Sequence, residues 1–165
     1  MYYSPFKVFD GRLFYTHRAF QVPYQLWGYD GSKAQKIMDL SPPLSPDYDF
    51  DFGVYKGALY FGVVAMIPGS DELRQNELWC YDGKTPPKKV GMLTDLESGD
   101  SGFTHTQPCD FQVYKGWLYF GSNRHLYRCN GPVLEDLVAS SAGAPRYFLA
   151  LQEFFQSCDE LLATL

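Results

Sequence analysis

What the 165-residue sequence lacks narrows its chemistry first. No run of basic residues occurs, and 14 Lys and Arg stand against 19 Asp and Glu, for a net charge of −5. Nucleic-acid binding neutralises phosphates with clustered Lys and Arg, so no nucleic-acid partner is expected. No apolar stretch is long enough to cross a membrane, and Met1-Tyr2-Tyr3-Ser4-Pro5 shows no basic segment followed by an apolar one. Neither a membrane partner nor a secretory signal is therefore expected, which points to a cytoplasmic or virion location. The three histidines, 17, 105 and 125, are far apart and share no metal-ligand spacing. The four cysteines, 80, 109, 129 and 158, are irregularly spaced without a Cys-x-x-Cys, and read as free buried thiols. No Gly-rich phosphate loop is present. The expectation is no metal, no cofactor and no enzyme.

Two short segments carry a superficial chemical signature. Gly99-Asp100-Ser101-Gly102 has the form of the nucleophile loop of trypsin-like proteases, but Phe103 follows and no matching His or Asp context surrounds it. Ser101 is read as a turn residue, and no catalytic residue is assigned. Asp47, Asp49 and Asp51 alternate as at the start of a calcium loop. The sixth position is Phe52 where Gly is needed, and the twelfth is Ala58 where Glu is needed. Strict alternation with Tyr48, Phe50 and Phe52 is more simply a strand with one polar face, although an ion at these carboxylates stays open. Asp110 holds in a later repeat the place of Asp51. Both precede the first strand of a repeat, where they could line a central opening.

What is present is aromatic and repetitive. Aromatic residues make up 18% of the chain and apolar residues 45%, a balance that favours pleated, half-buried surfaces. Phe6-Lys7-Val8-Phe9-Asp10-Gly11-Arg12-Leu13-Phe14-Tyr15 recurs as residues 52–61 and again as residues 111–120. Each copy reads as strand, Asp-Gly or Lys-Gly turn, strand, because Gly supplies the positive φ of a tight hairpin turn. A second segment follows each copy: Gln25-Leu26-Trp27-Gly28-Tyr29-Asp30-Gly31, Glu77-Leu78-Trp79-Cys80-Tyr81-Asp82-Gly83, and His125-Leu126-Tyr127-Arg128-Cys129-Asn130-Gly131. A last short strand closes each unit near residues 36–40, 89–93 and 133–137. The period is 46 residues from Leu13 to Leu59 and 59 from Leu59 to Leu118, near the ~40–50 residues that four-stranded propeller blades show. Leu59-Tyr60-Phe61 is apolar on both faces, as a sheet buried between two others requires. Leu59, Leu78 and Leu126 are expected in the core. A single antiparallel meander or sandwich is the alternative.

The Glu-Leu-Trp-Cys-Tyr-Asp-Gly segment and its relatives at 25–31 and 125–131 resemble the Glu-Leu-Trp-x-x-Asp-Gly repeats of bacterial β-propeller proteins. They are also similar to the blades of small propeller lectins. The resemblance covers residues 6–138 and implies an all-β fold of three four-stranded antiparallel propeller-like blades, at about 5–41, 48–96 and 105–138. It says little about function, since blades serve lectins, enzymes, adhesins and virus-particle proteins alike.

Three blades fall short of a closed propeller, which typically needs about 4–8. Leaving an apolar face of on the order of 500 Å² in water forfeits roughly 12 kcal/mol at ~25 cal/mol per Å². Two copies would make a six-bladed ring, and a different protein could equally complete the arc. Beyond the blade domain, 1–139, residues 140–165 are expected to form one C-terminal amphipathic α-helix. Phe148, Leu151, Phe155, Cys158 and Leu162 follow a 3-4 spacing, the seam of a helix that packs on its own blade or zips to a partner. The expected function is a non-enzymatic binding and assembly module, with another protein, a further copy or a larger assembly such as a phage particle as partner. The alternative is a carbohydrate-binding lectin, with sugars stacked on Trp27, Trp79 and Trp117, whose other role is packing between blades.

Overall fold

The computed structural model describes residues 5–19, 21–43, 50–66, 74–93, 107–122 and 125–139. They form twelve strands: β1 Phe6–Phe9, β2 Arg12–His17, β3 Gln25–Tyr29, β4 Ala34–Asp39, β5 Phe52–Tyr55, β6 Ala58–Met66, β7 Arg74–Tyr81, β8 Lys88–Met92, β9 Cys109–Tyr114, β10 Trp117–Ser122, β11 His125–Asn130 and β12 Val133–Ala139. No helix occurs among the described residues. The tail, with Phe148, Leu151, Phe155, Cys158 and Leu162, lies outside them, as do Asp47, Asp49, Ser101 and His105. The strands make three four-stranded antiparallel sheets in the orders β1-β2-β3-β4, β5-β6-β7-β8 and β9-β10-β11-β12. His17 ends β2.

Local chemistry sets the register. Asp10-Gly11, Lys56-Gly57 and Lys115-Gly116 hold both turn residues at positive φ, between 44° and 77°. Two consecutive positive φ values define the primed turn whose twist matches the flanking strands. The pairings Leu13↔Tyr29, Leu59↔Tyr81 and Leu118↔Cys129 place the three repeats in one common register. Sheet three has a register shift between Tyr119 and Gly121 in its first strand pair, and each sheet carries one between its third and fourth strands, at Leu26/Trp27, Leu78/Trp79 and Leu126/Tyr127. The shift inserts one extra residue in the fourth strand: Ile37, Val90 or Leu137.

Because residues directly opposite share a face and neighbours alternate, each sheet has two distinct faces. In sheet two the first face carries Phe52, Val54, Leu59, Phe61, Trp79 and Tyr81, and packs on Phe9, Phe14, Leu26, Ile37, Met38 and Leu40 of sheet one. The second face carries Tyr55, Ala58, Tyr60, Leu78 and Cys80, and packs on Phe111, Leu118, Phe120, Tyr127 and Cys129 of sheet three. The middle sheet is thus buried on both sides, which is why Leu59-Tyr60-Phe61 does not alternate. Close approach is secured by glycine. A Cβ on Gly53 would lie 2.7 Å from the Phe111 ring, and one on Gly62 would lie 2.5 Å from Pro108. Leu59 and Leu78 are fully buried, but Leu126 is only half-buried, because among the described residues no further sheet lies on its face of sheet three.

Candidate interaction surfaces

The two end faces of the stack are where the structure departs from its own repeat. Sheet one presents outward the face that sheets two and three bury. Phe6 is 67% exposed, whereas its counterparts Phe52 and Phe111 are 1% and 9% exposed. Leu13, Tyr15 and Trp27 on that face are half-buried, and Val8 and Tyr29 are exposed. At the other end, Tyr114, Trp117, Tyr119, Leu126 and Arg128 of sheet three are half-buried, where sheet two buries Tyr55, Tyr60 and Leu78. The inserted bulge residues follow suit: Ile37 and Val90 pack against the two cores, while Leu137 is 39% exposed.

Polar contacts near the turns tie each sheet to the next. Arg12 at the start of β2 donates to the Gly83 carbonyl in the β7–β8 turn. Tyr55 Oη at the end of β5 donates to the Gly116 carbonyl and, at 3.1 Å, to Asn130 Oδ1 in the β11–β12 turn. Lys56 Nζ donates to the same Asn130 oxygen. Asn76 and Gln107 hydrogen-bond at 2.7 Å in the buried seam of sheets two and three. Two of the four acceptors, at Gly83 and Gly116, escaped sequence reading because they are backbone carbonyls in turns, which carry no residue signature. The one available signal was the alignment of Asp82-Gly83 with Asn130-Gly131.

The three tryptophans singled out from sequence lie on three different faces. Trp27 stands on the outer face of sheet one, its indole N–H donating to Gln25 Oε1 at 3.0 Å and its ring edge-on to His17. Trp79 occupies the matching position of sheet two, inside the seam with sheet one, and donates to Glu77 Oε2 at 2.8 Å. Lys89 Nζ approaches the other Glu77 oxygen at 2.9 Å, so this buried carboxylate has a partner on each side. The first and third residues of the Gln/Glu-Leu-Trp segment thus form one hydrogen-bonded pair in sheets one and two. Trp117 lies on the outer face of sheet three beneath the Arg128 guanidinium, 4.2 Å from its ring centroid. Arg128 Nε in turn donates to Glu135 at 2.6 Å.

The titratable groups follow these environments. Asp30 is held down at about 2 by the backbone N–H groups of Lys33 and Ser32, which its carboxylate accepts in the turn. Asp82 is held at about 2 in the same way by Lys84 and Thr85. Burial pushes the Cys129 thiol up to about 12 and raises Cys80 and Tyr60 as well, all three in the seam of sheets two and three. Cys80, Cys109 and Cys129 are free thiols. Among the described residues no group of three His, Cys, Asp or Glu side chains could hold a metal ion, and no helix is long and apolar enough to cross a membrane. No family model, curated protein or solved structure matches the chain.

Proposed function

We propose that the chain is a non-enzymatic binding and assembly module, a partial β-propeller whose end sheets are completed by protein. The observation that carries this reading is the exposure of Phe6 at 67% on a face whose two repeats are buried under a neighbouring sheet. Apolar surface that the repeat is built to cover stays in water when the chain is alone, and covering it is favourable by ~25 cal/mol per Å². Three sheets, each seated on the one before it, support the propeller arrangement and the resemblance to Glu-Leu-Trp-x-x-Asp-Gly propeller repeats. A place in a larger assembly, such as a phage particle, fits a module that presents Phe6 and Val8 to solvent on its end sheet. Light scattering on the full chain tests the reading: the expected species is heavier than 18.8 kDa. A dilute, folded monomer with a cooperative melt overturns it.

A second reading, carbohydrate binding, is supported by Trp27 and Trp117 standing half-buried on the outer faces of sheets one and three. Aromatic faces stack on sugar C–H surfaces, and Glu135, beside Trp117 through Arg128, could accept from hydroxyls. A glycan array repeated with Trp27→Ala and Trp117→Ala tests it; a signal that survives both changes removes the tryptophans from the reading.

A further inference from the structure

The three repeats differ at the residue that opens the turn between their third and fourth strands. Asp30 and Asp82 hold it in sheets one and two, and Asn130 holds it in sheet three. Both aspartates spend an oxygen on their own turn. Asp30 Oδ1 accepts the N–H groups of Ser32 and Lys33, and Asp82 Oδ1 those of Lys84 and Thr85. Asn130 reaches out of its turn instead. Its Oδ1 faces sheet two, where Lys56 Nζ donates to it and Tyr55 Oη lies at 3.1 Å. An ammonium only donates, so the oxygen of the amide, and not its nitrogen, is the atom turned toward Lys56. Gly131 follows at a φ of 72°, and a Cβ placed there would meet nothing within 4 Å.

From this arrangement we propose that Asn130-Gly131 is a self-modification site, at which Asn130 loses its side-chain amide as ammonia and becomes an aspartate paired with Lys56 across the seam of sheets two and three. The backbone nitrogen of Gly131 is the nucleophile and Asn130 Cγ the electrophile. As the new N–C bond forms, the Gly131 proton passes to water and the carbonyl electron pair moves onto Oδ1. Lys56 already points a proton at that oxygen, with Tyr55 Oη beside it, so the tetrahedral oxyanion is stabilised as in an oxyanion hole. The bond from Cγ to the amide nitrogen then breaks, and that nitrogen takes a proton from water and leaves as ammonia. One water molecule opens the five-membered imide that remains. Addition at Cγ passes through an oxyanion on the same oxygen, so the same donors direct hydrolysis there and restore the ordinary backbone. Amide and water become carboxylate and ammonium, with no oxidant or cofactor.

The sequence singles out this position. Glycine has no side chain to crowd the attack, whereas Asn76 and Asn123 are followed by Glu77 and Arg124. Asp30 and Asp82 also precede glycine, but turn amides hold both ionised, at about 2, and a carboxylate is a poor electrophile. The product carries at this place the carboxylate that sheets one and two carry. It sets a negative charge against Lys56 where a neutral oxygen stood, and a charged acceptor makes the stronger bond.

The test is peptide mapping by mass spectrometry of the full chain held in warm neutral buffer, folded and in urea, with iso-aspartate resolved from aspartate. Asn130 is expected to convert faster in the folded chain than in urea, with ordinary aspartate as the main product, while Asn76 and Asn123 stay amides. Lys56→Met slows conversion by about ten-fold, less than the roughly 100–1,000-fold that a water-excluded oxyanion hole loses with one donor, because Lys56 is exposed. Lys56→Arg, which keeps the charge, keeps the fast rate. Asn130→Asp, made directly, raises the urea midpoint of the parent, and the gain vanishes once Lys56→Met is added. Conversion that is slower in the folded chain than in urea, or unchanged in Lys56→Met, overturns the site. Iso-aspartate as the main product of the folded chain overturns the directing role of Lys56. An Asn130→Asp midpoint no higher than the parent's overturns the ion pair.

Discussion

Asp51 Oδ2 accepts the backbone N–H of Asp110 at 2.9 Å, tying the start of β5 to the start of β9, while Asp51 Oδ1 takes the N–H of Phe52 at 2.7 Å. One carboxylate thereby holds the first strands of two sheets in step. Asp110 itself sits at a φ of 55°. Its carboxyl is raised, first by burial and also by the nearby Asp51 charge. Asp51→Ala removes the tie, and because water can reach the exposed Asp110 amide, a loss of about 0.5–1.5 kcal/mol is expected in denaturant unfolding. The Asp110 midpoint, followed by NMR titration, should fall in the same variant. A midpoint that stays in place would show that the two carboxylates do not sense each other.

Gly53→Ala and Gly62→Ala place a methyl group within 3 Å of Phe111 and Pro108, respectively, across the seam of sheets two and three. Forcing the sheets apart is expected to cost about 1–3 kcal/mol, as overpacking does. Gly57→Ala meets no neighbour, but its φ of 71° makes it a strained turn variant that leaves the seam intact. Thermal melts of the three proteins, with near-UV circular dichroism reporting the seam aromatics, separate the two effects.

Leu59→Ala and Leu78→Ala open cavities in the two fully buried seams and should each cost about 2–5 kcal/mol. Leu126, at the register position of Leu78 but on a face that no described sheet covers, should cost under about 2 kcal/mol, because a half-buried side chain leaves little cavity. Equal losses at Leu78 and Leu126 in denaturant midpoints would mean that sheet three is covered in solution.

Cys129, held neutral up to about pH 12 by burial, should resist a thiol reagent at pH 8 as long as the chain is folded. The sign of the linked effect on stability follows from the raised value. The unfolded thiol ionises near 9 and the folded one near 12, so stability is fully present below about pH 9 and declines as pH rises from there toward 12. Cys129→Ala should lower stability by a constant amount below about pH 9, through the lost side-chain volume, and flatten the alkaline decline, measured as urea midpoints between pH 7 and 11.

The parts of the fold legible in the sequence are those decided within a few residues. Asp-Gly and Lys-Gly between apolar runs announce the primed turns, and the repeated segments announce four strands per unit, because both signals are local. The fate of each face is not local. Phe6, Phe52 and Phe111 are the same residue at the same register position, and only the sheet lying opposite decides which is covered. The same reason misplaces Leu126 in the core and hides the role of Tyr55, whose acceptor at Gly116 is a backbone atom. The tryptophans were legible as repeat residues, but Trp117 belongs to the turn end of β10 while Trp27 and Trp79 share a position in β3 and β7, so they gather in no common site.

Every strand hydrogen-bonds only to strands adjacent to it in sequence, as the three sheet orders record. β-proteins fold slowly when long loops must close before any contact forms, and that cost is absent inside each of these sheets. Each sheet can gather its hydrogen bonds as soon as its own stretch of chain has left the ribosome. The slow event is then the docking of one finished sheet on the next, and the contacts made latest, at Asp110, Gly116 and Asn130, are those whose loss should speed unfolding more than it delays folding.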